Sequence, residues 1–235
     1  MKRPPGSFGR KIPASSACSL HELDPDGRPR VDPEQARDVA RWRKVERERL
    51  IAARCALTEE YRREQTLAIA RAVEKILTTL SLPILSVYWP IRAEPDLRAW
   101  MATLSQQGVR VALPVATALG QPLVFREWRP HARLARGLWN IPYPADGAEV
   151  MPSVVIAPLV GFDADCFRLG YGGGFFDRTL ATLSPKPLAI GVGYPSAALS
   201  TIYPQPYDVA MDWVVAGSSA ALRRVALRDS PGVLK

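Results

Sequence analysis

The sequence is poor in cysteine, with three in 235 residues at Cys18, Cys55 and Cys166. An odd, widely spaced set does not make a disulfide framework and fits a reducing compartment, so a cytoplasmic location is expected. No run of about 18 apolar residues occurs, which argues against a membrane-spanning helix. The opening MKRPPGSFGRKIP is basic without an apolar stretch, so it does not resemble a secretory leader. Internal repeats and low-complexity tracts are also absent.

Apolar residues make up 47% and charged residues 23%, which excludes general disorder, collagen and coiled coil. The 22 prolines and 16 glycines call for many defined turns. The 31 Lys plus Arg against 23 Asp plus Glu leave a net charge of +8. That surplus favours an anionic partner: nucleic acid, nucleotide phosphates or a polyanionic metabolite. Arginine dominates it, and a planar guanidinium suits bidentate oxyanion binding. The alternative is a protein that is simply basic.

Residues 1–33 lack periodicity and read as an N-terminal extension. Cys18-x-x-His21-Glu22 offers too few ligands for a zinc site, so a local turn is expected there. Asp32-Pro33 then supplies an N-cap and a first helical position. The helix that follows carries Val39, Trp42, Val45, Leu50 and Ala53 as an approximate apolar stripe. Thr58-Glu59-Glu60 opens a second helix, with Leu67, Ala70, Val73 and Ile76 on one face, ending near Leu80. Together they predict a basic helical hairpin.

Beyond Pro83, ILSVYWP, VRVALPV, PLVFREW, SVVIAPLVGFD, PLAIGVGY and WVVA read as strands. Helices are predicted from Glu94-Pro95-Asp96 to about Gln107 and over 174–183. This alternation predicts an α/β domain over 34–220, with a largely parallel central sheet flanked by helices on both faces. A tail over 221–235 completes the expected organisation.

Chemistry concentrates in Arg168-Leu-Gly170-Tyr171-Gly172-Gly173-Gly174-Phe175-Phe176-Asp177-Arg178, between a predicted strand and a predicted helix. Four glycines in five positions let the backbone approach an oxyanion closely. A glycine loop feeding a helix N-terminus is a favourable phosphate site, because free N–H groups and the helix dipole point outward there. Arg168 adds a cation at the loop entrance, and Asp177 could hold a divalent ion bridging phosphates. The loop is neither a Walker A motif nor G-x-G-x-x-G, and a mobile surface loop is the plain alternative.

This stretch, preceded by APLVGFD, resembles the signature of the 5-formyltetrahydrofolate cyclo-ligase family. The resemblance runs from about Arg43 to Val215 through ERLIAARCALTEE, Tyr88-x-Pro90-x-x-x-Glu94, VALP, PLVFREW, GLWNIPYP, the glycine loop, and Tyr207-Asp208 with Asp212. Residues 1–40 have no counterpart in it. It implies an ATP- and Mg²⁺-dependent reaction on a folate substrate. The formyl oxygen on N5 attacks the γ-phosphate of ATP, N10 attacks the resulting iminophosphate, and loss of phosphate gives 5,10-methenyltetrahydrofolate.

The resemblance also implies roles for individual residues. Arg43 and Arg47, with Arg168, Gly170, Tyr171, Gly172, Gly173, Gly174, Phe175 and Phe176, fall to the nucleotide. Asp177 and Asp208 fall to Mg²⁺. Glu94, with Trp89 nearby, falls to the pterin and formyl group, and Trp139 to the folate pocket. Four of these residues have a plainer alternative. The two arginines could be a solvated basic face, Trp139 a core tryptophan, and Glu94 a helix N-terminal carboxylate. This chain departs from the family pattern where Arg43 replaces a usual lysine, where Glu46 takes a commonly apolar position, and where Phe175-Phe176 replaces Tyr-Tyr, removing two phenol donors.

Two other functions compete. One is a paralogue applying the same ATP chemistry to another amide or formyl group. The other is a basic nucleic-acid-binding or regulatory protein, suggested by RWRKVERERL. Glu46, Glu48 and Glu59 dilute any stripe tracking phosphates, which argues against nucleic acid.

Overall fold

The computed structural model describes residues 33–78, 80 and 84–224. The expected arm up to residue 32, with Cys18, His21 and Glu22, and the tail from 225 lie outside the described residues. The chain divides into two compact units, Met1–Ala40 and Arg41–Lys235. Residues 33–40 are the described part of the first and form the opening turns of helix α1 (Pro33–Cys55).

In the second unit, α1 continues to Cys55 and α2 spans Glu59–Leu77. The Thr58 hydroxyl caps α2 by accepting from the Tyr61 N–H at 3.2 Å. Next come β1 (Leu85–Ser86), α3 (Arg98–Gln106), β2 (Val111–Val115) and β3 (Val124–Trp128). Then follow β4 (Leu134–Arg136), β5 (Pro142–Pro144), β6 (Val154–Pro158), β7 (Gly161–Phe162) and β8 (Arg168–Leu169). Helix α4 (Phe175–Thr182), β9 (Leu188–Gly193), β10 (Trp213–Ala216) and β11 (Leu222–Arg223) complete the order.

Seven strands form one sheet in the order β11-β10-β9-β6-β1-β2-β3. The five inner strands are parallel, and β3 and β11 pair antiparallel at the edges. The predicted, largely parallel sheet is therefore present. Alternation along its strands divides the core. Leu85, Leu113, Ile156, Ile190 and Val215 meet Ile69 and Val73 of α2 and Met101 of α3 on one face. Ala112, Val155, Ala157, Ala189 and Val214 meet Leu180 of α4 on the other. Strands covered on both faces read as continuous apolar runs, which is why VVIAP and WVVA were recognisable. Each fully buried Ile or Val contributes about 1.5–3 kcal/mol.

Three expectations are corrected. Helix α3 starts at Arg98 rather than Glu94, because Arg92 and Ala93 take left-handed backbone (φ 45° and 58°) and Asp96 accepts from the Arg98 N–H at 3.1 Å. The stripe expected on α1 holds only in part: Leu50 is buried and Val39 and Trp42 are half-buried, but Val45 and Ala53 are exposed, and Arg43 and Arg54 are buried in their place. Leu50 packs with Val160, Leu169 and Ile202, whereas α2 packs on the sheet, so the two helices bury their faces against different partners. Finally, Leu222–Arg223 belongs to the sheet rather than to a tail.

After β1 the chain crosses through α3 to β2, while β6 lies on the other side of β1. Loops leaving the carboxyl ends of β1 and β6 therefore diverge, and α/β sheets bind ligands at such a switch point. Glu94 follows β1, and the glycine loop follows β6 through the hairpin β7–β8.

Candidate active site

The glycine loop joins β8 to α4. Gly172 (φ 97°) and Gly174 (φ 63°) adopt backbone that side chains disfavour, and a Cβ on Gly173 would come within 2.8 Å of the Phe175 ring. Among the described residues, the N–H groups of Tyr171, Gly172, Gly173 and Gly174 have no protein acceptor. They lie at the N-terminus of α4, where the helix dipole adds positive potential. Arg47 reaches this loop from α1, donating from Nε to the Gly170 carbonyl at 2.6 Å. Burial, followed by the charge of Arg43, holds its pKa below the ordinary arginine value. The Arg168 Nε is buried without a protein acceptor. Free N–H groups beside two guanidinium groups fit an oxyanion.

Arg43 does not share the Arg47 partner. It donates to the carbonyls of Ile202 (3.0 Å) and Tyr203 (2.9 Å) and pairs with Asp208. Asp208 also accepts from the Gln205 N–H at 2.7 Å. Asp177, in the first turn of α4, accepts from Arg168 Nη2 at 2.8 Å and from the Val209 N–H at 3.3 Å. The Val209 contact brings the two aspartates to neighbouring positions, each already joined to an arginine. No cluster of three or more His, Cys, Asp or Glu suited to a metal occurs among the described residues. Two carboxylates nonetheless fit magnesium, which takes one or two of them with phosphate oxygens and water.

Glu94 is 5% exposed. It is not a helix-terminal carboxylate, since α3 begins four residues later. The Ile91 N–H donates to its Oε2 and the Tyr171 hydroxyl to its Oε1, both at 2.9 Å. Burial pushes its pKa up to about 7, against the lowering effects of the Ile91 N–H, Arg54, Tyr171 and Arg92. Arg54 of α1 was not singled out from the sequence, although its side chain joins three loops. It donates to the Arg92 carbonyl (2.9 Å), the Leu159 carbonyl (3.3 Å) and the Tyr171 hydroxyl. One signal was available: Arg43, Arg47, Leu50 and Arg54 stand at i, i+4, i+7 and i+11, a single helix face. Trp89 is half-buried, with the Arg98 guanidinium 5.3 Å from its ring centre.

Trp139 is 61% exposed, so the core-tryptophan reading is excluded. It sits in a short 3-10 turn with left-handed backbone (φ 55°), and its ring meets Phe175 edge-on at 5.2 Å. The Arg178 guanidinium covers Phe175 at 5.4 Å, and that of Arg168 covers Phe176 at 5.2 Å. Arg178 also donates to the Gly173 carbonyl. Asp163 and Asp212 prove to be supports. Asp163 accepts from the N–H groups of Asp165, Phe167 and Ile202, and Asp212 from that of Ala189.

The family model for 5-formyltetrahydrofolate cyclo-ligase matches residues 39–217, which include every one of these groups. The chain belongs to the 5-formyltetrahydrofolate cyclo-ligase family. A protein of that name from Mycolicibacterium smegmatis is 35% identical over 136 residues, covering 54% of this chain and 70% of the relative. The cyclo-ligase of Escherichia coli strain K12 is 29% identical over 172 residues, covering 70% and 94%. The NMR structure of Aquifex aeolicus 5,10-methenyltetrahydrofolate synthetase has a TM-score of 0.68 at 23% identity, covering 82% of this chain and 96% of that one. At that identity the likeness is one of fold. The cyclo-ligase match leaves residues 1–38 outside the family's domain.

Proposed function

We propose that this chain uses ATP to convert 5-formyltetrahydrofolate to 5,10-methenyltetrahydrofolate. One observation carries the reading: free N–H groups at the start of α4 stand beside Arg47, and the same loop is hydrogen-bonded through Tyr171 to the buried Glu94. A phosphate cradle and a folate-facing acid are thus joined at one switch point.

In this reading the loop N–H groups and Arg47 hold the triphosphate. Arg168 offsets charge developing on the transferring phosphoryl group, where fixed dipoles act with little reorganisation. Glu94 holds the pterin by hydrogen bonding so that the formyl oxygen lies in line with the γ-phosphorus. The exposed Trp139 ring covers the flat pterin. The formyl oxygen–phosphorus bond forms as ADP leaves; N10 then bonds to the formyl carbon and gives up its proton, and the carbon–oxygen bond breaks to release phosphate. Asp177 and Asp208 would hold Mg²⁺, which when bound neutralises phosphate charge.

The buried face of α1 supports a small-molecule substrate over nucleic acid. Arg43, Arg47 and Arg54 are engaged by protein groups and are withdrawn from any outward basic stripe. Among the described residues no helix is long and apolar enough to cross a membrane. The free thiols of Cys55 and Cys166 support a cytoplasmic setting. The test is an assay of purified protein with 5-formyltetrahydrofolate, ATP and Mg²⁺. Growth of methenyl-folate absorbance that stops without ATP is expected, and its absence would refute the reading.

A further inference from the structure

The Arg54–Tyr171–Glu94 chain is built from three segments far apart in sequence. Arg54 comes from α1, Glu94 from the loop after β1, and Tyr171 from the glycine loop. All three are shielded: Arg54 is 6% and Glu94 5% exposed, and Tyr171 is half-buried. The direction of each hydrogen bond is fixed by chemistry. A guanidinium only donates, so the Tyr171 oxygen accepts from Arg54 and its single proton goes to Glu94 Oε1. Arg54 and Arg92 also flank the Tyr171 ring, each 5.7 Å from its centre. Arg54 further secures the left-handed Arg92–Ala93 turn through the Arg92 carbonyl, and that turn presents the Ile91 N–H to Glu94 Oε2.

We propose that Tyr171, anchored by Arg54, is a positioning residue that fixes the orientation and proton state of Glu94 and so ties the order of the glycine loop to the folate side of the site. The proposal rests on the cyclo-ligase reading for the role of Glu94. Glycine-loop chemistry explains why positions 172 to 174 are glycine, yet it gives no reason for a phenol at 171. The geometry supplies one. A loop that closes on a nucleotide carries the Tyr171 hydroxyl with it, so the acid reaches its working orientation when the phosphate cradle is ordered.

The titratable and charged groups that act on Glu94 or feel its charge are Arg54 on α1, Tyr88 after β1, Arg92 in its own loop, Tyr171, and Tyr194 after β9, while Asp96 acts on Tyr88. Of these, Tyr171 is the one that gives its proton to the Glu94 carboxyl. That hydrogen bond favours the carboxylate, and Arg54 favours it by charge. Deleting the hydroxyl therefore moves Glu94 titration to higher pH. Whichever protonation state the reaction uses, the Glu94-dependent limb of the kcat/KM profile moves in the same direction.

The test compares wild type, Tyr171→Phe and Arg54→Lys. Tyr171→Phe keeps the ring between the two guanidinium groups, and Arg54→Lys keeps the charge, so both preserve most of the packing. Glu94 is followed in glutamate-labelled protein by carboxyl ¹³C NMR, assigned with Glu94→Gln, and kcat/KM is measured from pH 5 to 9. We expect Tyr171→Phe to move the titration and the kinetic limb to higher pH, and Arg54→Lys, which keeps the charge but loosens the Tyr171 anchor, to move them in the same direction by less. We also expect kcat/KM near neutrality to fall roughly tenfold in Tyr171→Phe, the scale of one lost hydrogen bond to a charged group. Unchanged titration in Tyr171→Phe overturns the inference, as does a fall in activity with no shift of the limb. Absence of any wild-type turnover would instead refute the cyclo-ligase reading, while the NMR titration would still decide whether Tyr171 governs Glu94.

Discussion

Arg168 donates to Asp177 at 2.8 Å with 4% of its own side chain exposed, so Asp177 is the counter-charge of a buried cation. Removing one partner of such a pair leaves an uncompensated charge and costs about 3–5 kcal/mol. Asp177→Ala is therefore expected to lose stability as well as ATP turnover. The double variant Asp177→Ala/Arg168→Met should recover much of the stability and none of the turnover. Urea unfolding of the three proteins checks this. Asp177→Ala as stable as wild type would show that the pair contributes nothing to the fold.

Glu94 gives a pH dependence of stability. Its folded pKa of about 7 lies above the ordinary 4.5 because burial penalises the charge. The folded state thus binds more protons than the unfolded chain between these values, and stability falls as pH rises from about 4.5 to about 7. The contribution is fully present below pH 4.5 and lost once pH passes the folded value. At 1.36 kcal/mol for each pH unit between the two values, the separation corresponds to a loss of up to about 3 kcal/mol. Glu94→Gln should abolish this dependence and unfold at a higher urea concentration than wild type at pH 8. Parallel curves for the two proteins from pH 5 to 8 would rule this out.

Those two carboxylates show how far the sequence could be read. The place of Asp177 in the first turn of α4 was legible because a glycine loop and a helix start bracket it within a few residues. Strands such as VVIAP and LAIGVG were legible because both their faces are buried, leaving no polar position to confuse the pattern. Helix α1 misled the reading for the opposite reason. Its inward face carries buried Arg43, Leu50 and Arg54 with half-buried Arg47, so an apolar stripe searched for there picks up exposed residues such as Val45 beside Leu50. Arg54 was hidden among many arginines, since its partners lie 38 to 117 positions away. The strands β4, β5 and β11 have two or three residues each and form through turn geometry and edge pairing, which periodicity does not detect.

In the proposed role of covering the pterin, Trp139 separates ligand recognition from packing. An exposed side chain outside any core cluster contributes little to folding, so Trp139→Ala should change stability by within about 0.5 kcal/mol. Loss of the flat ring should raise KM for the folate by up to roughly tenfold, the scale of one aromatic contact. KM for ATP should stay within about twofold, the signature of a folate-specific contact. A large loss of stability, or an unchanged folate KM, would show that the ring serves the structure alone.

The pair Phe175-Phe176 stands where the family commonly carries two tyrosines. In this chain each ring lies under a guanidinium, Phe175 under Arg178 and Phe176 under Arg168, and Phe175 also meets the edge of Trp139. These contacts use the ring face and need no hydroxyl. Phe175→Tyr and Phe176→Tyr are accordingly expected to leave kcat and both KM values within about twofold. Phe175→Leu removes the cation–π and edge contacts, worth about 1 kcal/mol each, and should raise KM for ATP several-fold by loosening Arg178 from the Gly173 carbonyl. Steady-state kinetics on the three variants decides the matter. A marked gain in turnover from either tyrosine would mean that a phenol donor is missing from this site and that the rings alone do not complete it.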